Sequence, residues 1–340
     1  MDWKKSYSAK WRVFKVNRKT WADAESVPRV DSVNLSRTAD GNLLESGSLT
    51  ATGDFDSDYY RIVMSAEQDG EVARVDVATL LFDLSGGDYN HGTDVYNVNG
   101  FSVLYPASVT AITIGQYAPA GADGAQYVAD LLKSAINAPV SVDGHFTLND
   151  NIVFELGATV LDSAWLVLNA GPDNGFCMQI DGRGVVHILP MPKEPSLILD
   201  TLNSGLLTDG IGFTADLSEI PNRYVVIDDN IVSVAVNDDP NSPVSTVSRG
   251  YTVDIIDTSP ALVDGETYNE YAYRMLKKNS ILKEVKSYTR EYAPNVYPNS
   301  LIRASIDGLS GDLRVQSQSI TCGYGVTINE RSVKEHKLYG

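Results

Sequence analysis

Polar and apolar residues alternate along the first hundred positions, the period of a strand with one buried face. Residues 7–16 show it in Lys10, Trp11, Arg12, Val13 and Phe14. Residues 46–52 and 59–66 follow, and Gln68-Asp69-Gly70-Glu71 then turns the chain into residues 72–84. Asp-Gly supplies the positive φ of a tight hairpin turn, so the two flanking runs are expected to pair. After a Gly86-Gly87-Asp88 loop, residues 94–104 form a further strand through Val95, Tyr96, Val98 and Phe101. Short strands with glycine-bearing turns suggest a barrel or a sandwich.

The period then changes. Asp123 can cap a helix with Gln126 three residues on, and Val128, Leu131, Leu132, Ala135 and Ile136 make one apolar stripe closed by Pro139. Thr159 opens a second helix with Asp162 at its third position; Leu161, Ala164, Trp165 and Leu168 face inward, and Asn169-Ala170-Gly171-Pro172 stops it. A hairpin follows, 176–180 and 185–189, turning at Asp181-Gly182-Arg183-Gly184. Residues 191–222, with Pro192, Pro195, Gly205, Gly210 and Pro221, read as a linker or long loop.

Strands resume at 223–227, at 231–236 and, beyond the Asp238-Asp239-Pro240-Asn241-Ser242-Pro243 loop, around 251–256. Residues 267–278 carry the clearest helix. Thr267 and Glu270 form a capping box, Tyr268, Tyr271, Ala272, Met275 and Leu276 a buried stripe, and Lys277 and Lys278 sit at the negative end of the dipole before Asn279. Strands at 282–292, 300–306, 313–321 and 325–333 complete the chain. The fold class is α+β and mostly β. Its expected parts are a β-rich domain at 1–115, an α/β insert at 116–190, the linker at 191–222, and a second β-rich domain at 223–340 containing the helix at 266–280.

A chain of 340 residues suffices for two or three such cores. No segment approaches the ~20 apolar residues of a membrane helix, and Met1-Asp2-Trp3-Lys4-Lys5 lacks the apolar core of a signal peptide. The net charge of −17 is unevenly spread, because the first twenty residues hold seven Lys or Arg against Asp2 alone. An acidic body repels nucleic acid and argues against a DNA reader; it suits a surface that DNA must pass without sticking, and equally plain solubility. The basic arm is either a flexible tail or an edge strand docking onto an acidic neighbour.

Candidate chemistry is sparse. His91 and His145 lie beside glycines, His187 within a strand and His336 in a polar tail, and no HExxH, HxH or CxxC spacing exists, so no metal site is expected. Cys177 and Cys322 read as buried, reduced thiols. Ser46-Gly47-Ser48 and Ser310-Gly311 do not make a hydrolase elbow, and Gly182-Arg183-Gly184 lacks the lysine and helix of a phosphate loop. The Asp228-Asp229-Asn230 and Asn237-Asp238-Asp239 loops lack the spaced ligands of a calcium loop and read as solvated turns. No residue is assigned as catalytic, cofactor-binding or metal-binding. Tyrosine outnumbers phenylalanine eighteen to eight; Tyr59, Tyr60, Tyr288, Tyr292 and Tyr297 serve either an interface or ordinary strand packing.

One resemblance gathers these segments. Tyr224-Val-Val-Ile-Asp228, the capped helix from Glu266 to Lys278, Tyr292-Ala293-Pro294, Pro298-Asn299-Ser300 and the hairpins of 308–334 are similar to the C-terminal half of phage baseplate hub proteins. That family includes the late-control-D and tail-associated proteins and the hub part of type VI secretion spikes. Tyr127-Val-Ala-Asp-Leu-Leu, Leu156-Gly-Ala-Thr-Val-Leu-Asp162, Trp165, Asn169, the 176–190 hairpin and Val98-Asn99-Gly100-Phe101-Ser102-Val103-Leu104 resemble its middle and the strand before it. The 191–222 and 237–243 stretches have no counterpart, and the chain stops after the last strands with no peptidase, lysozyme or spike appended.

The resemblance implies two tube-like antiparallel β-barrels flanking the insert, a homotrimer presenting a pseudo-sixfold ring to a hexameric tail tube, and no catalytic or cofactor residue. Expected partners are the tail tube and distal tail proteins, the tape measure protein, and tip, spike or fibre proteins, with DNA passing an acidic channel unread. The place is the tail tip of a virion assembled in a bacterial cytoplasm, or of a DNA-free injection particle. The alternatives are a receptor- or carbohydrate-binding tip protein, using Tyr89, Tyr96 and Tyr105, and a cell-wall hydrolase.

Overall fold

Alternation along the N-terminal third does fold into strands, and the computed structural model joins them into one broad sheet. It describes the chain except residues 4, 28, 53–55, 91, 93–94, 172–174, 201–205, 208–209, 229–230, 259, 261–265 and 340, and the side chains of 84–87. Two compact units result: Met1–Ile211 with Ser287–Ser332, and Gly212–Lys286 with Val333–Gly340.

The broad sheet runs Gly212–Ala215, Ile281–Glu291, Val326–Lys337, Leu309–Cys322, Val30–Thr38, Glu45–Thr52, Val95–Phe101, Glu71–Asn90, Asp58–Gln68, Ser8–Val16, Asp23–Val27. Leu301–Ile306 pairs antiparallel with Leu309–Cys322 and carries Pro195–Asp200 in parallel on its other side. The expected hairpin is present, closing Gln68 on Glu71 with Asp69 and Gly70 both at positive φ. Val13, Ile62, Met64, Val77, Leu80 and Val98 form the core on one face.

Five helices occur among the described residues of this mostly β chain. Gly124–Lys133 starts where Asp123 Oδ1 accepts the amides of Ala125 and Gln126. Val160–Asn169 starts with the Thr159–Asp162 capping box. Both bury their stripes against each other and against a three-stranded sheet of Phe176–Ile180, Val186–Pro190 and Val140–Val142. The turn of that hairpin is pressed onto the large sheet. A Cβ on Gly182 would stand 1.7 Å from the Asp76 carbonyl oxygen. Thr79 Oγ1 donates to the Gly182 carbonyl, and Arg61 and Trp21 donate to that of Arg183.

The smaller unit packs the helix Tyr268–Asn279, capped by Thr267 and Glu270, on the sheet Ile231–Val236, Arg223–Asp228, Asp254–Asp257. Tyr224, Val226, Ala235, Tyr271, Ala272 and Leu276 are its core.

Several expectations change. The sheet is open, with no closed barrel among the described residues, because Asp23–Val27 covers only Val13–Val16 and no strand returns to the first. Residues 86–88 belong to one long strand, Glu71–Asn90, whose pairing with Val95–Phe101 slips between Asp83 and Asp88. The 94–104 strand ends at Phe101, and Pro106 helps start the short helix Tyr105–Val109. Within 191–222 lie the strands Pro195–Asp200 and Gly212–Ala215. Around 251–256 the chain first makes the short helix Thr246–Arg249, stopped by Gly250 at φ 73°, and the strand is Asp254–Asp257. Pro172 of the expected helix stop lies outside the described residues.

Candidate interaction surfaces

The chemistry-bearing residues are held apart or already engaged. Cys177 and Cys322 are buried and free, and burial pushes both thiols up to about 12, far from nucleophilic at neutral pH. His145 Nδ1 meets Asp123 Oδ2 at 2.5 Å, the same carboxylate that caps a helix. His336 Nε2 meets Glu284 Oε2 at 2.9 Å. His187 bridges two carboxylates, Nδ1 to Asp143 at 2.8 Å and Nε2 to Asp181 at 3.3 Å, and the hydrogen bond to Asp181 raises its pKa above the ordinary value. His91 lies outside the described residues, as does most of the Asp228-Asp229-Asn230 loop. No group of three His, Cys, Asp or Glu able to hold a metal ion occurs among the described residues.

Three arginines are buried, each against a carboxylate. Arg37 Nε reaches Glu45 at 2.6 Å across neighbouring strands, with its guanidinium over the Tyr297 ring. Arg61 donates to Thr79, Asp23 and two carbonyls. Arg290 Nη2 meets Glu330 at 2.6 Å, and that carboxylate also accepts from Tyr288 and Gln318. These are charge-assisted rivets inside the sheet. A cleft of about 420 Å³ beside Trp3, Arg74, Asp76, Arg183 and Tyr297 has its charges mutually paired, Asp76 facing Arg74 at 3.5 Å and Arg183 at 3.7 Å.

Tyrosine divides between the two readings. Tyr59, Tyr60, Tyr288 and Tyr292 are buried, so strand packing accounts for them. Tyr89 and Tyr96 face each other across paired strands with ring centroids 4.3 Å apart, whereas Tyr105 stacks on Phe101 instead.

What remains open is surface. The basic arm is not a flexible tail: Ser8–Val16 is a strand of the sheet, and the Met1 amino group pairs with Glu71 at 2.7 Å. Among the described residues, Asp23–Val27 leaves Ser8–Arg12 without a strand neighbour on the outer side. Lys10 and Arg12 on this stretch are exposed and make no ion pair among the described residues. In the smaller unit, the sheet face away from the helix shows Val232 at 64%, Ile256 at 62% and Val234 at 43% exposure. Side-chain alternation explains this signal, since Ser233 between Val232 and Val234 is half-buried and Ala235 after them lies in the core.

No protein-family profile matches the sequence, and no curated protein matches it. Solved structures do. The chain is similar to a tail protein from Neisseria meningitidis at TM-score 0.67 and 11% identity, covering 98% of each chain. It is similar to the 43 kDa tail protein of prophage MuSo2 from Shewanella oneidensis at TM-score 0.61 and 13% identity, over 96% of this chain and 98% of that one. A chain of the Francisella PdpA–VgrG complex aligns at TM-score 0.56 and 8% identity, over 97% of this chain and 58% of that one.

Proposed function

We propose, from the fold this chain shares with phage tail proteins and a VgrG complex chain, that it is a structural tail-tip or baseplate component. In this reading three copies form a ring that adapts a hexameric tail tube to a threefold tip. The ring lies among tube, distal tail, tape measure and tip proteins, and DNA passes its bore without being read. The carrying observation is the end-to-end match with the Neisseria tail protein, 98% of both chains, because it involves the whole architecture and not one common module. The open sheet edge and the uncovered apolar face support the reading, since both are surfaces that association would cover. A structural role also fits the two buried thiols and the buried arginines held by carboxylates.

Gold-labelled antibody against the protein is expected to mark the distal end of assembled tails, and light scattering of the purified chain to give the mass of three protomers. Label along the shaft would overturn the placement. A mass of two or four protomers would overturn the ring.

A further inference from the structure

We infer that the open edge Ser8–Arg12 of one copy pairs with the free edge of Ile231–Val236 in a second copy, strand against strand. This rests on the ring proposed above and assigns the surfaces that would close it.

Ser8–Arg12 hydrogen-bonds as a strand only toward Asp58–Gln68, where Ser8 faces Glu67 and Arg12 faces Val63. Its other side is a row of backbone donors and acceptors with no ladder, which is a template for another strand. Lys10 and Arg12, two residues apart, project from the same face. Two such edges would set like charges opposite each other, so the edge does not pair with its own copy. It selects an edge flanked by acids.

Ile231–Val236 fits. Among the described residues it pairs on one side only, with Arg223–Asp228, and its six residues suffice to cover the five of the open stretch. It carries no charge itself, but exposed Asp238 and Asp239 follow it, Asp239 Oδ1 accepting from Asn241, and Asp228, which accepts from the Tyr268 hydroxyl, precedes it. Among the described residues Asp238 has no hydrogen-bond or ion-pair partner, so its charge is available.

Other edges fit less well. On Asp254–Asp257, Asp254 is held by Arg223 and Asp257 accepts from Tyr224 and Tyr271. On Asp23–Val27, Asp23 is taken by Arg61 and Arg74. Pro195–Asp200 begins on a residue without a donor. Because the two edges differ, the contact is head-to-tail, the kind that closes into a cyclic ring when the rotation permits.

Sedimentation of the full chain tests this, with Lys10→Glu/Arg12→Glu as one variant, Asp238→Lys/Asp239→Lys as another, and the four changes combined. These are surface positions, and far-UV circular dichroism checks that each variant folds. Each double variant is expected to associate about tenfold more weakly or worse, and the combined variant to recover, since the charges again oppose. Raising salt from about 0.05 to about 0.5 M should weaken the wild type and strengthen the double variants, whose opposed like charges it screens. Assembly that survives both double variants would overturn the pairing and leave the ring standing. Loss without recovery in the combined variant would also overturn the pairing. A wild type that stays monomeric at every concentration would overturn both.

Discussion

Arg290 and Glu330 are both fully buried, and the carboxylate collects Tyr288 and Gln318 as well. Removing one partner strands the other charge out of water, which costs far more than the pair contributes over an apolar replacement. Arg290→Met is therefore expected to lower stability by about 3–5 kcal/mol, and Arg290→Met with Glu330→Leu to recover much of it, read from urea unfolding. His187 gives a pH signature. Its folded pKa is raised, so its contribution is complete below the ordinary histidine value of about 6.5 and is lost as pH climbs through the raised one. His187→Gln should flatten the fall in melting temperature over about pH 6 to 8; an unchanged profile would mean that the bridge to Asp143 and Asp181 carries no stability. Neither constellation was legible beforehand. His187 read as a half-buried strand residue, and the partners of Arg37, Arg61 and Arg290 lie on other strands, so sequence shows only isolated cations.

Helix starts were the most legible elements, because a cap is local: Thr159 and Asp162, and Thr267 and Glu270, close their boxes as the spacing requires. Thr159→Ala should cost roughly 1 kcal/mol of thermal or urea stability in the larger unit. Strand Val30–Thr38 was the chief omission. Its inward positions are Val33, Leu35 and Arg37, and a buried arginine breaks the apolar alternation that announces a strand. Helix Tyr105–Val109 is too short to show a stripe. Gly182 was legible as part of a hairpin turn, but not its close contact with the large sheet. Gly182→Ala is expected to cost roughly 3 kcal/mol by driving the hairpin turn off Asp76. Faster proteolysis between residues 176 and 190, with the smaller unit untouched, would locate the damage.

At the scale of the molecule, the mostly β content was legible from periodicity alone. Sheet closure was not, since an edge is defined by a strand that fails to arrive and no residue marks that. The same sheet draws its neighbours from opposite ends of the chain. Val30–Thr38 lies beside Leu309–Cys322, and Thr321 meets Asn34 across 287 positions. During translation at about 5–20 residues per second, Val30–Thr38 waits roughly a quarter of a minute to a minute for that neighbour. The nascent chain therefore leaves the ribosome with a second, temporary edge that only the last stretch of synthesis can seal. Chains released early, for instance after residue 286, should be captured by chaperones or precipitate while full-length chains stay soluble, which pulse-labelled lysates would reveal.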